Sequence, residues 1–252
     1  MWIKRTEAPK IPDSFKSKEK PTTSFVIRTL NEGKWLPTVL TALFFQSRTD
    51  FEIIIVDSGS GDKTIEIAQK IPLVKLIQIS KKEFGFSYAL NIGIKNSKGK
   101  YIGILSGHSV PISKTWYEDG LKNLKNKKVA AVFGFYIALP DGHPTEKLGT
   151  IATKLTEKIT HYTPWMSNTN ALIRKSLWKQ YPFDETLDRD GCEDYDWASE
   201  MLARGYDVIR DPKFDVHHSH GGIGRPLYKE RIVHWKKTCA LIDKKKRPSR
   251  SK

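Results

Sequence analysis

The run Phe51-Glu52-Ile53-Ile54-Ile55-Val56, closed by Asp57, restricts the fold more than any other segment of the chain. Consecutive β-branched residues favour a strand, and the lack of polar alternation means burial on both faces, the condition of strands inside parallel sheets. Asp57-Ser58-Gly59-Ser60-Gly61-Asp62 breaks the run, and a helical pattern resumes over Thr64–Lys70. Upstream, Ser24–Arg28 reads as a short strand, and Asn31-Glu32-Gly33-Lys34 opens a helix. That helix buries one stripe, Leu36, Val39, Leu40, Leu43 and Phe44, and carries Pro37 in its first turn, where a missing N–H costs nothing. Strands over Leu73–Ile79 and Tyr101–Leu105 enclose a helix over Phe86–Lys95. Alternating strands and helices predict an α/β fold: a mostly parallel, Rossmann-like sheet flanked by helices, with right-handed crossovers.

The second half is less regular. Val129–Phe135 and Asn170–Arg174 read as strands, Lys175–Gln180 as a short helix, and Val208-Ile209 and Asp215-Val216 as strand fragments. Asp194–Arg204 is a clear helix, with Trp197, Ala198, Met201 and Leu202 on one face and Gly205 as its stop. Thr150–Thr160 is a further helix candidate in the unassigned stretch 137–166. No internal repeat occurs. The 252 residues suit one domain over 22–235, preceded by an extended, proline-bearing arm over 1–21 and followed by a basic tail over 236–252.

No apolar run reaches the roughly 18–20 residues of a membrane span. The N-terminus lacks the apolar core of a secretory leader, and two distant cysteines, Cys192 and Cys239, fit a reducing compartment, so the expected location is the cytoplasm. The net charge of +15 is densest at Lys236-Lys237 and Lys244-Lys245-Lys246-Arg247. Such a tail is either solvated or drawn to a polyanion, with an anionic membrane surface ahead of nucleic acid.

In an open parallel sheet, ligands sit beyond the carboxyl ends of the strands. Three polar clusters follow three strands here: Arg28-Thr29-Leu30-Asn31-Glu32, Asp57-Ser58-Gly59-Ser60 and Ser106-Gly107-His108-Ser109. Asp57 either accepts hydrogen bonds from a base or ribose or caps its own turn. Gly-rich dinucleotide and Walker-type loops are absent from the sequence.

Phe25-Val26-Ile27-Arg28-Thr29-Leu30-Asn31-Glu32, Ile54-Ile55-Val56-Asp57-Ser58-Gly59-Ser60-Gly61-Asp62 and Asn91-Ile92-Gly93 together resemble the family 2 glycosyltransferases of GT-A fold, in their bacterial rhamnosyltransferase-like branch. Pro182-Phe183-Asp184, Cys192-Glu193-Asp194-Tyr195-Asp196-Trp197 and His218-Ser219-His220 extend the match over about residues 22–222. The resemblance implies an inverting transfer of sugar from a nucleoside-diphosphate donor to a hydroxyl of a glycan or lipid-linked glycan. It places Arg28, Asn31, Glu32, Asp57 and Ser58 around the nucleotide and Asn91 near the donor, although Leu90 stands where the family often has arginine.

GT-A enzymes usually hold a divalent cation through Asp-x-Asp; here the segment reads Leu105-Ser106-Gly107-His108-Ser109 and contains no Asp. His108 either ligates a metal, Mn²⁺ or Mg²⁺ with imidazole favouring the former, or hydrogen-bonds the diphosphate, or simply packs. His218 and His220, spaced i, i+2, would share one strand face and could join it as ligands; alternatively His217 to His220 form a phosphate-contacting loop with Gly221, Gly222, Gly224 and Arg225.

At the other end, Glu193-Asp194 open a helix, where the dipole favours an anion and the backbone holds it rigidly. The resemblance makes Asp194 the general base and Glu193 its neighbour, against the plainer reading of two capping acids. Trp165 and Asn168 are candidates for the acceptor floor, or Trp165 is a core residue. Two other functions compete: a nucleotidyltransferase, whose Gly-rich first loop the segment Arg28–Glu32 lacks, and a catalytically degenerate or purely polyanion-binding protein, the nucleic-acid form of which has no specific motif to carry it.

Overall fold

The computed structural model describes residues 7–12, 15, 20–155, 164–187, 191–220 and 226–248. Along the chain run β1 (Thr23–Thr29), α1 (Leu36–Phe44), β2 (Phe51–Asp57), α2 (Thr64–Gln69), β3 (Val74–Gln78), α3 (Phe86–Lys95) and β4 (Tyr101–Ser106). There follow β5 (Val110–Pro111), α4 (Trp116–Asn123), β6 (Val129–Phe133), β7 (Tyr136–Ile137), α5 (Pro144–Leu155), β8 (Asn170–Arg174), α6 (Lys175–Gln180), α7 (Glu193–Ala203), β9 (Asp207–Arg210), β10 (Val216–His217) and α8 (Pro226–Ile242). The main sheet has seven strands in the order β3-β2-β1-β4-β8-β6-β9, and β5, β10 and β7 form a second, small sheet.

β1 pairs in parallel with both β2 and β4, so the strand order reverses between β1 and β4. Such a switch point opens a crevice at the carboxyl ends. β8 runs antiparallel to β4 and to β6. It therefore brings its N-terminal end, Asn170, to the edge where β1 and β4 end.

Strand alternation sorts the core into two layers. Phe25, Ile27, Ile53 and Ile55 pack with Leu36, Val39, Leu40 and Leu43 of α1 and with Trp116 of α4. Val26, Ile54, Val56, Ile102 and Ile104 pack with Ala89, Leu90 and Ile94 of α3 and Trp197 and Met201 of α7. The unbroken β-branched run of β2 is thus explained by helices on both faces. Gly93 lets α3 lie directly on the sheet: a Cβ there would overlap Cγ1 of Val26 and come within 3.0 Å of Cγ2 of Val56. Gly93→Ala is expected to lower stability by about 1–3 kcal/mol, the usual effect of overpacking, as a shifted urea midpoint at unchanged slope.

Both boundaries expected from sequence need correction. Within the arm, Phe15 is buried, its ring edge-on to Phe44 and Phe51 at 5.0 and 5.2 Å. At the other end the division at 235/236 falls inside α8, and the described residues beyond it, up to 248, are not a loose tail. Arg247 pairs with Asp196 and Glu200 of α7 at 2.7 and 2.9 Å, and Lys245 with Asp184 and Asp196 at 2.8 and 2.9 Å. Asp196 is fully buried and Glu200 nearly so, and buried carboxylates require such cations. The expected helix over Thr150–Thr160 begins earlier, at Pro144, and residues 156–163 lie outside those described.

One ion pair fixes the turn into the small sheet. Arg210, at the end of β9, donates from Nη2 to Oδ2 of Asp215 at 3.0 Å, and both are buried. Oδ1 of Asp215 also accepts the backbone N–H of Phe135 at 2.8 Å.

Candidate active site

Alternation along β1 decides how the sequence-predicted residues divide. Arg28 faces the α3 and α7 side, whereas Thr29, like Asp57 beside it in the register, faces the α1 and α2 side.

On the first side the Arg28 guanidinium lies 5.0 Å from the Phe86 ring centroid. Its Nη1 is 3.5 Å from Oε1 of Glu193, and its Nη2 donates to the backbone carbonyl of Asn168 at 3.3 Å. Asn168 is buried and central: its N–H donates to Oδ2 of Asp194 at 3.0 Å and its side-chain amide to Oε1 of Glu193 at 3.2 Å. Asp194 also accepts the N–H of Tyr195 at 2.8 Å. The carboxyl of Asp194 is pushed up to about 7, first by burial and then by the charge of Glu193. Burial pulls Arg28 down from its ordinary value, against the two acids that hold it charged. Nε of Arg28, Oε2 of Glu193 and Oδ1 of Asn168 are buried without a hydrogen-bond partner among the described residues. Unmatched buried groups of both signs in one place mark where a polar ligand would complete the network.

The histidines gather on the same edge. His108, His218 and His220 each offer a ring nitrogen, all within 4.8 Å of one another. The His108 and His218 rings stack at 4.2 Å, and Nε2 of His218 lies 2.9 Å from Nε2 of His220. Nδ1 of His108 meets Oε1 of Glu32 at 2.7 Å, and Nδ1 of His218 meets the Ser109 hydroxyl at 3.0 Å. Burial, then His108, His220 and Arg28, push the His218 imidazole well below its ordinary value, so it stays neutral. A backbone strut joins the two halves: Ser109 donates to the carbonyl of Thr169, and Arg28 to that of the preceding residue, Asn168. Ser109 and Thr169 carry no role in the sequence reading; the signal available was only their place beside His108 and Asn168. Residues 221–225, the proposed Gly- and Arg-rich phosphate loop, lie outside the described part.

Glu32 is brought to His108 by Gly107, where a Cβ would stand 2.6 Å from Cγ of Glu32. Gly107→Ala should displace Glu32 and lower turnover at least tenfold with little change in melting temperature, since the added methyl meets a side chain at the site rim and not the core.

On the other side, Asp57 is fully buried and occupied by the chain itself. It accepts from Thr29 and from the Ser60 hydroxyl at 2.8 and 2.6 Å, and from the N–H groups of Gly59 and Ser60 at 3.1 and 2.8 Å. Asn31, at φ 58°, accepts from Gly61 N–H at 2.8 Å, tying the two loops together. Ser58 is buried, its hydroxyl without a partner among the described residues. These residues shape the wall of the crevice at the switch point. Asn91 is elsewhere: it donates to the Phe183 carbonyl and to Glu185, both at 2.8 Å, and accepts from Trp178 at 2.9 Å, joining α3 to the segment before α7. In the structure its amide ties α3 to Trp178 of α6 and to Phe183 and Glu185. Trp165 is 63 % exposed, with its ring 5.1 Å from that of Tyr195, so it is a surface residue beside the start of α7 and not a core one.

Comparison with known proteins agrees with this geometry. The O-antigen chain rhamnosyltransferase RfbN of Salmonella typhimurium is 26 % identical over 214 residues, covering 78 % of this chain and 66 % of its own length. An uncharacterized glycosyltransferase of Rickettsia typhi is 30 % identical over 196 residues, covering 72 % of this chain and 59 % of its own. The chain thus spans less than two thirds of these relatives. Among solved structures, the mannosyltransferase PcManGT of Pyrobaculum calidifontis in complex with GDP-Man and Mn²⁺ superposes with a TM-score of 0.66 at 20 % identity, over 91 % of this chain and 66 % of that one. Residues 1–349 of TarS from S. aureus, in complex with UDP-GlcNAc, give 0.64 at 16 % identity, over 88 % and 66 %. The mostly parallel sheet and its flanking helices are therefore the GT-A arrangement. The model of "Glycosyl transferase family 2" matches residues 24–181, well over half the sequence, and the chain belongs to that family.

Proposed function

We propose that the chain is an inverting glycosyltransferase that moves a sugar from a nucleoside-diphosphate donor to a hydroxyl of a glycan or lipid-linked glycan, in the synthesis of a cell-surface polysaccharide. The observation that carries this reading is Asp194, a half-buried carboxyl with a raised pKa, held by two backbone N–H groups at a helix start and sharing its edge of the sheet with three histidines. Asp194 takes the proton of the acceptor hydroxyl as that oxygen bonds to the anomeric carbon. The bond from that carbon to the diphosphate breaks, and the diphosphate leaves with the electron pair. Arg28 and Asn168 hold the acids in place, and Glu193 keeps the basicity of Asp194 high through its charge. Trp165 and Asn168 border the space open to the acceptor, and the loops of Asn31, Asp57 and Ser58 border that of the nucleoside. The solved neighbours in complex with GDP-Man and with UDP-GlcNAc support a nucleotide-sugar donor.

His108, His218 and His220 would hold a divalent cation, Mn²⁺ in the first instance with Mg²⁺ as the oxygen-preferring alternative. The buried, unpartnered Nε2 of His108 fits that role. When bound, the cation neutralises charge on the diphosphate. Donor turnover should vanish in EDTA and return with Mn²⁺; full activity in EDTA overturns the metal requirement.

Ionisation of Asp194 is required for proton abstraction, so turnover should rise as pH passes about 7. Stability should move the other way. The folded state retains a proton that the unfolded chain loses near its ordinary value of 3.8, so this contribution is fully present below that pH and is lost as pH rises through about 7. A pH–rate profile and melting curves on the same buffers check both signs.

No described helix is long and apolar enough to cross a membrane. Attachment to an anionic membrane surface is supported by α8 and the residues just beyond it, where exposed Val233 and Leu241 stand among exposed Lys236, Lys237 and Lys244. Salt-sensitive sedimentation with phosphatidylglycerol vesicles, absent with phosphatidylcholine, is the expected result.

A further inference from the structure

We infer that the histidine cluster is built to select a transition-metal ion over Mg²⁺, with Glu32 as the positioning residue that fixes His108. This deepens the proposed function, since it names the ion class of the same site.

Two ring tautomers are set by the hydrogen bonds. The Glu32 carboxylate can only accept, so Nδ1 of His108 carries the hydrogen and Nε2 presents a lone pair. That Nε2 is buried with no hydrogen-bond partner among the described residues. The Ser109 hydroxyl donates to the Thr169 carbonyl, so Nδ1 of His218 donates to Ser109 and its Nε2 carries a lone pair, which faces Nε2 of His220. A carboxylate or hydroxyl on one ring nitrogen, with the other nitrogen left to ligate, is the arrangement that orients metal-bound imidazoles.

The spacing agrees. Nε2 of His218 and Nε2 of His220 are 2.9 Å apart. Two nitrogens at about 2.1 Å from one ion and at right angles to each other stand about 3.0 Å apart. The stacked rings of His108 and His218, 24° from parallel, place the third nitrogen in the same cluster.

Donor chemistry sets the selection. None of the three side chains is a carboxylate, and Glu32 is turned to the outer nitrogen of His108. Mg²⁺ demands oxygen and gives up water reluctantly, whereas imidazole suits Zn²⁺, Co²⁺, Ni²⁺ and, less tightly, Mn²⁺. Three neutral ligands also leave the full double charge of the ion to face diphosphate oxygens.

The test uses the untagged full chain, stripped with chelator and titrated by calorimetry with Co²⁺, Zn²⁺ and Mg²⁺. Visible absorption of Co²⁺ gives a second readout of nitrogen ligation. One Co²⁺ or Zn²⁺ per chain is expected, with Mg²⁺ weaker by roughly 100-fold or more. Glu32→Ala should weaken Co²⁺ by about 10–100-fold, and Glu32→Gln, which still accepts from Nδ1, should recover most of it. His108→Asp, by adding an oxygen ligand, should narrow the gap between Co²⁺ and Mg²⁺ by roughly tenfold or more. Equal affinity for Co²⁺ and Mg²⁺ in the wild type overturns the selection. Unchanged Co²⁺ affinity in Glu32→Ala overturns the role of Glu32. Absence of any bound ion, with His218 and His220 merely hydrogen-bonded to each other, overturns the site. Failure of the sugar-transfer reading shows separately, as no calorimetric binding of UDP, GDP or dTDP with or without Co²⁺.

Discussion

Asp194→Asn should lower sugar transfer by roughly 10²–10⁴-fold while nucleotide affinity stays within a few fold, because only the proton acceptor is lost. The substitution is mild in shape. Its amide keeps an oxygen for one of the two N–H donors, from Asn168 and Tyr195. It resembles the protonated carboxyl that the site already holds below a pH of about 7. Removing the charge beside Glu193 should even raise the melting temperature above that pH, relative to wild type. Single-turnover transfer, nucleotide calorimetry and melting curves at pH values on both sides of the transition separate these effects. Near wild-type transfer would assign Asp194 and Glu193 to helix capping alone.

Asp215→Ala should cost about 3–5 kcal/mol, a larger stability effect than that of Gly93→Ala, because it removes the carboxylate that faces the buried Arg210 guanidinium. The same change removes the acceptor of the Phe135 N–H. Arg210→Met combined with Asp215→Ala should recover part of the loss, since no uncompensated charge then remains. Urea midpoints of the single and double variants give the coupling. A loss below about 1 kcal/mol in Asp215→Ala would mean that water or another group satisfies Arg210. The pair also lies directly before β10, which carries His217 and leads into His218 and His220. Loosening it should weaken any ion held by the histidines in proportion to the loss of stability.

Much of the first half was readable because its signals are local. The β-branched run of β2, the stripe of α1 and the order of strands and helices each depend on residues a few positions apart, and the parallel pairing of β1 with β2 and β4 follows from them. Convergence of the Arg28, Asp57 and His108 clusters was also foreseeable from the rule that strand ends form one edge. Their division into two faces is implicit in the alternation of β1 and β2 but shows only in the structure: Arg28 and Thr29 are neighbours, yet only Arg28 meets Glu193. Other features depend on distant partners. Lys245 and Arg247 read as a solvated basic run because the acids that claim them, Asp184, Asp196 and Glu200, lie 47 to 61 residues upstream. Asn91 read as a donor contact because Trp178, Phe183 and Glu185 gave no hint of their approach. The short strands β5 and β7 have two residues each, too few to show any period, and they form by pairing with β10, of which the sequence showed only the fragment Asp215-Val216.

The reversed direction of β8 has a mechanical consequence. Asn168 grips Asp194, Glu193 and Arg28, and Thr169, its immediate neighbour, receives Ser109 from the histidine side. Adjacent Cα atoms are separated by a covalent span of about 3.8 Å that packing cannot stretch. The gap between Asp194 and the histidine cluster is therefore gauged by one peptide unit. Lengthening the chain by a single residue at that point would leave both halves intact and set them at the wrong distance for a sugar to bridge.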